Sequence, residues 1–394
     1  MSILATSVQQ KNIQSNLGRL QIEIDRLSNQ AATGKKADRF SGLGIDSRRS
    51  LELRSTVTTY ERYQQSISRT QLLLQQQIDA MNQMDDIVNQ AIDELVTKLD
   101  GGTPNVDIIN VEAQGRLNEV VSLMNIEYQG QYLFGGRGVT DANVIPGETR
   151  PPVLGLRDDA AVPDAGGVND YFNLLTNNAL GVSVVNVGAD GGGGAAAAGA
   201  DRIFARLDYI FNNSSALLAG DAPVANSGAP NDYATWYNGD LGGANAFLSA
   251  EISEATTITY NSVVVDTTDP NTSGFEDIMK ALSLFSVFRP AGGAINPANE
   301  AEFFDTYNRG VQLLRQGQTK LQQEVAVLGE RQSLADRQLE RNIEVITFSE
   351  VALSEVEDVD VATVITDLNL RQSQLEASFN IVGRLQNIRL SNFL

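Results

Sequence analysis

Residues 307–356 read YNRGVQLLRQGQTKLQQEVAVLGERQSLADRQLERNIEVITFSEVALSEV. Stepping alternately by four and three from Tyr307 gives Val311, Leu314, Gln318, Leu321, Val325, Leu328, Gln332, Ala335, Leu339, Asn342, Ile346, Ser349, Leu353 and Val356; eleven of these fifteen positions are apolar. That is the seam of a heptad repeat, which buries its stripe against a partner helix. The stretch contains no proline, and a proline inside a helix costs about 3 kcal/mol. An unbroken helix over 307–356 spans about 75 Å at 1.5 Å per residue, longer than a compact domain of this size is wide. This run predicts a long-helix architecture.

The partner lies near the other end of the chain. From Leu53 to Leu99 the same spacing passes through Val57, Tyr60, Gln64, Ile67, Gln71, Leu74, Ile78, Met81, Asp85, Val88, Ile92 and Leu95. Gln64, Gln71 and Asp85 are its polar exceptions. Gly101-Gly102-Thr103-Pro104 stops this helix. A third helix is expected from Val106 to Gln129, with Ile109, Ala113, Leu117, Val120 and Met124 on one face. These helices can satisfy one another as an intramolecular bundle.

Two shorter seams lie outside that bundle. Ile13, Leu17, Leu20, Ile24, Leu27 and Ala31 are spaced 4-3-4-3-4 and stop near Gly34, a plausible helix C-terminal residue. A last helix is expected over 361–390, with Leu368, Leu375, Phe379, Val382 and Ile388 as its apolar face. Chain ends fray unless something ties them down. Two helices alone bury little surface, so these residues, Ala31 apart, are expected to be interface residues that pair and then pack against other subunits. Between the first seam and the second helix, residues 34–46 read as an ordered loop.

The middle is different in kind. All ten prolines lie between Pro104 and Pro297, and 23 of the 34 glycines lie between Gly130 and Gly293. Residues 138–297 hold 18 Asp/Glu against 6 Lys/Arg. The region reads as a turn-dense insert between two helical arms. Tyr132-Leu133-Phe134 before Gly135-Gly136 predicts a hairpin. Strands are expected at 182–187, 256–260 and 263–266, with Asn261-Ser262 as the turn between the last two. Short helices are expected near 203–211 and 275–288.

Composition excludes many chemistries. The 394 residues carry a formal charge of −20, which repels phosphate backbones and argues against nucleic-acid binding. There is no Cys and no His, so disulfides, thiol nucleophiles, Ser-His-Asp triads and histidine-ligated metals are excluded. The first residues, Met1-Ser2-Ile3-Leu4-Ala5-Thr6, lack the basic and apolar regions of a secretory signal. No apolar run is long enough for a membrane-spanning helix. Gly191–Gly194 before Ala195–Ala198 lacks the Gly-Lys-Ser/Thr ending that holds a nucleotide phosphate, and reads as low-complexity loop. The acidic residues form no calcium-loop array. Lys35-Lys36 and Arg48-Arg49 read as solvated helix ends. No cofactor, metal or catalytic residue is expected, and the chain is expected not to be an enzyme.

Two motifs add a resemblance. Gln30-Ala31-Ala32-Thr33-Gly34-Lys35-Lys36 resembles the Gln-x-x-Thr-Gly-Lys stretch of the hook-associated protein 3 (FlgL) family, in the flagellin superfamily. Gly130-Gln131-Tyr132-Leu133-Phe134-Gly135-Gly136 resembles that family's Gly-x-Tyr-x-Phe-x-Gly hairpin, carried by Gly130, Tyr132, Phe134 and Gly136. The end, Leu375 through Leu394, is similar to its C-terminus. Where that family carries Ser-Asp-Asp-Pro, this chain has Asp38-Arg39-Phe40-Ser41, and the following Gly42-Leu43-Gly44-Ile45 is closer to flagellins.

The resemblance implies an α+β multidomain protein built on long coiled-coil and bundle helices from both chain ends. Residues 1–35 and 357–394 would pair as an inner coiled-coil domain. Residues 36–140 and 298–356 would form a helical bundle with a β-hairpin, and 141–297 a Gly/Asp-rich, β-rich outer domain. Its implied function is a structural one in motility: a hook–filament junction subunit of the bacterial flagellum, extracellular and secreted through type III export. Implied partners are further copies of itself, a neighbouring hook-associated protein, flagellin and a cytoplasmic export chaperone; neither nucleic acid nor membrane insertion is implied. Flagellin itself, the main filament subunit, is the alternative. A remote one is an enzyme or ligand-binding module in the middle domain.

Overall fold

A computed structural model describes residues 2–100, 104–128, 130–136, 186–187, 247–262, 274–290 and 300–391, with 200, 203–204, 207, 211, 264, 295 and 297. The long helices are α1 (Ser2–Thr33), α2 (Ser47–Asp100), α3 (Val106–Met124), α4 (Gly274–Val287), α5 (Glu300–Glu357) and α6 (Val361–Ser391). Short strand pairs accompany them. β1 (Glu127–Tyr128) pairs antiparallel with β2 (Gln131–Tyr132). β3 (Asn186–Val187) runs parallel to β6 (Arg289–Pro290), and β4 (Ser249–Ser253) is antiparallel to β5 (Thr256–Thr259). The chain divides into two compact units, 65–339 and 1–64 with 340–394.

In the 65–339 unit, α2 and α5 run antiparallel, and three polar interruptions of their seams bond residues beside the opposite seam. Gln71 Nε2 donates to Asp336 at 2.6 Å, Gln332 Nε2 to Gln75 at 3.0 Å, and Gln322 Nε2 to Asp85 at 3.0 Å. A slip of one heptad breaks all three, so the breaks in the apolar pattern pin the register. Leu74, Met81 and Val88 of α2 and Leu314, Leu321 and Leu328 of α5 are buried between them. Tyr307 is buried and donates its hydroxyl to the carbonyl of Leu95 at 2.9 Å. Burial pushes its pKa upward. α3 folds back on α2, with ion pairs Arg116–Glu94 and Lys98–Glu112.

α3 ends at Met124, before the expected Gln129, because Glu127 and Tyr128 are taken into the hairpin. That hairpin turns before Tyr132 and not after Phe134. Gly130 supplies the turn with φ 81°, and Leu133 N–H closes it on the carbonyl of Ile126 at 3.0 Å. Phe134 is thereby driven into the core, edge-on to Phe275 of α4 at 5.4 Å between ring centroids. Gly136 also has a positive φ, 69°, a conformation that favours glycine.

α4 lies at the expected 275–288, but every one of its residues is buried. It sits between α3 and α5. Its approach to α5 depends on glycines: a Cβ at Gly317 would stand 2.8 Å from Ile278 Cγ1 and 2.9 Å from Ile278 N. A Cβ at Gly274 would stand 2.6 Å from the carbonyl of Gly317. Two charged side chains go under with α4: Glu276 and Lys280 pair at 2.8 Å, both almost fully buried. Asp277 is held by Lys320 at 2.6 Å. Asn110 on α3 donates to the carbonyls of Phe285 and Phe288 at 2.7 and 3.1 Å, satisfying groups at the α4 C-terminus that have no partner within the helix.

The insert is therefore not wholly separate. Ile203, Leu207, Phe211, Val264 and α4 belong to the same hydrophobic core as α2, α3 and α5, although the composition assigns all of 141–297 to an outer domain. Residues 203, 204, 207 and 211 are helical, within the expected 203–211 segment. The strand at 256–260 is present as β5, but its partner is β4, on its N-terminal side. Asn261 and Ser262 are buried and are not a turn tip. Asn261 Oδ1 accepts from Leu248 N–H at 2.6 Å, and Gln77 of α2 bonds both Tyr260 O and Ser262 N–H. Of the strand expected at 182–187, Asn186-Val187 is extended and the remainder lies outside the described residues, as does most of 263–266 and the Gly191–Ala198 loop.

Candidate assembly surface on the terminal helices

The unit formed by 1–64 and 340–394 contains the antiparallel pair α1–α6. Its two apolar seams meet. Ile13, Leu17, Leu20 and Ile24 are half-buried, and Leu27 is buried. Across from them, Val364 is buried while Leu368, Arg371, Leu375, Ser378 and Val382 are half-buried at the same 4-3 spacing. Arg371 reaches Glu23 at 3.4 Å. Leu20, Asn16 and Glu23 share an open groove with Gln374, Ala377 and Ile381.

Phe379 does not join this seam. It is one residue past the 4-3 position at Ser378, a rotation of about 100°, and is 51% exposed. The sequence reading grouped Phe379 with Leu375 and Val382, whereas the structure turns it outward from them. The side chain of Ile388 lies outside the described residues. A second apolar set faces outward: Ile22 is 71% exposed and Ile381 55%, with Ile365 and Leu370 about half exposed. Apolar side chains are thus left open to solvent beside seams that one partner only half covers.

At the base of this pair the Gln30–Lys36 stretch meets the α5–α6 junction. Glu357, almost fully buried, accepts from Arg54 Nε at 2.8 Å, Arg54 Nη2 at 2.6 Å, Ser50 Oγ at 2.5 Å and Lys35 Nζ at 3.4 Å. Lys35 also pairs with Asp358 at 2.6 Å. Lys36 Nζ donates to the carbonyls of Glu355 and Val356 at 2.5 and 2.9 Å, the C-terminal carbonyls of α5. Backbone bonds run alongside: Lys36 N–H to Glu357 O at 2.6 Å, and Val359 N–H to Gly34 O at 2.9 Å. Gln30 Nε2 donates to Lys36 O at 2.7 Å. The Arg54 guanidinium holds the Glu357 carboxyl at about 2, and Ser50 and Lys35 add to that effect against the opposing cost of burial. Lys35 is pushed up by Asp358, and Asp358 down by Lys35.

Lys35-Lys36 is thus a specific contact and not a solvated helix end. Arg48 does make an exposed pair with Glu52 at 2.8 Å, one turn along α2. The cluster was hidden from sequence reading because Glu357 lies about 300 positions from its partners, although the motif at 30–36 marked half of it.

No curated protein matches the chain. A solved structure described as a putative flagellar hook-associated protein from Vibrio parahaemolyticus is similar at 11% identity and a TM-score of 0.45, over 79% of this chain and 97% of that one. Such a likeness is too loose to carry a fold argument. The profile of the bacterial flagellin N-terminal helical region matches residues 4–138. That segment comprises α1, the 34–46 loop, α2, α3 and the β1–β2 hairpin, and over it the chain is similar to bacterial flagellins.

Proposed function

We propose that the chain is a structural subunit of the hook–filament junction that polymerises through α1 and α6. What carries the reading is the incomplete burial of the α1–α6 seams and the outward apolar set around them, with α1 inside the stretch that matches the flagellin N-terminal region. Subunits would arrive with these helices unpartnered by neighbours. Each further apolar contact contributes roughly 25 cal/mol per Å² buried, offsetting the entropy of ordering. Ile13, Leu17, Leu20, Ile24, Leu27, Leu368, Leu375, Phe379, Val382 and Ile388 are the proposed interface residues, with Phe379 on the outward face.

In this reading residues 1–35 and 357–394 form the inner domain, and 36–140 with 298–356 the helical domain around it. The β-containing outer domain lies within 141–297, less the α4 and β4–β5 residues that the core takes up. Partners would be other copies, an adjoining hook-associated protein, flagellin, and a chaperone that shields the C-terminal seam before type III export. The chain performs no catalysis in this reading.

A second reading is flagellin itself. It is favoured by the family described for residues 4–138 and by Gly42-Leu43-Gly44-Ile45 in the loop. Immunogold electron microscopy of isolated flagella separates the two. Label confined to the cell-proximal end of the filament supports the junction role, and label along the whole filament makes the chain a flagellin. Protein detectable in the cell but absent from flagella refutes both.

A further inference from the structure

Two connections leave the helical part of the 1–64/340–394 unit for the terminal pair: residues 34–46 between α1 and α2, and 358–360 between α5 and α6. They run side by side, joined by two backbone bonds and the Lys35–Asp358 pair, with one buried carboxylate at the centre of the junction. We propose that Glu357 closes a hinge clasp that makes the ordering of α1 and the ordering of α6 a single event.

The geometry is that of a knot with four ends. Gln30 and Lys35–Lys36 come from the α1 end, Ser50 and Arg54 from the first turns of α2, Glu355–Glu357 from the last turn of α5, and Asp358–Val359 from the start of the α6 connection. The Glu357 side chain, itself on the α5 end, bonds two of the other three, and its carbonyl takes Lys36 N–H. Charge balances locally, with Lys35 and Arg54 against Glu357 and Asp358. Gly34, at φ 71°, bends the chain so that its own carbonyl meets Val359 N–H. Neither connection can swing without pulling the Glu357 carboxylate away from donors that belong to the other. The α1–α6 pair is therefore held to the first turns of α2 and last turns of α5 as one body. An amide at 357 keeps the shape but turns one acceptor into a donor aimed at Arg54 or Ser50.

A local role predicts something different from a clasp, and hydrogen exchange on the full chain separates them. In Glu357→Gln, exchange is expected to rise about tenfold to a hundredfold at Lys36 and Val359 together, and through both flanks, 29–36 and 358–366. Lys35→Met, made on the opposite connection, is expected to give the same two-sided pattern. Asp360→Ala is the one-sided control. Asp360 Oδ1 caps α6 by accepting from Ala362 N–H at 2.9 Å, outside the clasp, so its loss is expected to loosen 358–366 alone. Far-UV circular dichroism confirms that each variant keeps its helices. The proposal is overturned if either clasp variant loosens only its own connection. It is equally overturned if neither changes exchange, or if Lys36 and Val359 already exchange at unstructured-chain rates in the unmodified protein.

Discussion

Gly317 and Gly329 stand twelve residues apart in the interior of α5, and local helix physics treats them alike. Replacing a helix-interior glycine by alanine removes backbone entropy from the unfolded chain and stabilises by about 1 kcal/mol. At Gly329 nothing lies within 4 Å of an added Cβ, so Gly329→Ala is expected to show that full gain. At Gly317 the new Cβ would stand 2.8 Å from Ile278 Cγ1, 2.9 Å from Ile278 N and 3.0 Å from Asp277 Cβ. Ordinary carbon contacts are about 3.5–4.0 Å, so the backbone of α4 must retreat by roughly 0.5–1 Å. α4 is buried on all sides and has nowhere to go. Overpacking of this kind costs about 1–3 kcal/mol, which cancels or exceeds the propensity gain. Gly317→Ala is then expected to lie about 1–3 kcal/mol below Gly329→Ala. Urea unfolding of the full chain followed by circular dichroism reads the difference, and exchange at the α4 amides localises it. If the two variants are equally stabilised, the close crossing of α4 and α5 is refuted.

Three further expectations follow from named contacts. Asn110→Ala leaves the carbonyls of Phe285 and Phe288 without their side-chain donor in a buried site, and should cost about 1–3 kcal/mol in the same unfolding assay. Glu357 titrates at about 2 when folded against an ordinary value of 4.5, so its contribution is complete above about pH 4.5 and is lost as pH falls through about 2. Asp358 shifts in the same sense, so Glu357→Gln should flatten part of the stability loss between pH 4.5 and 2, and an unchanged acid slope would contradict the buried ion pair. Charged substitution at Leu20 or Leu375 should block assembly, measured by sedimentation of polymer, far more than charge reversal at the exposed Glu251 or Glu254; equal defects would refute the interface.

The seams of α1, α2, α5 and α6 were legible in the sequence because a helix stripe is a local property: 3.6 residues per turn writes it into consecutive residues. Proline and glycine placement likewise reveals where helices can continue. The polar breaks at Gln71, Asp85 and Gln332 were legible as positions, but their pairing with Asp336, Gln322 and Gln75 depends on the register of two helices about 240–260 residues apart in the chain. Separation along the chain hid three other features. Gly310 and Gly317 read as weak points of a helix until α4 packs against them. Asn261-Ser262 reads as a turn until Gln77 and Leu248 bury it. Glu357 reads as one more surface carboxylate until Lys35, Ser50 and Arg54 close around it. Periodicity determines which faces of this chain must be covered. Which residues cover them is decided by close packing and by pairing of buried polar groups, and both exist only once distant segments have met.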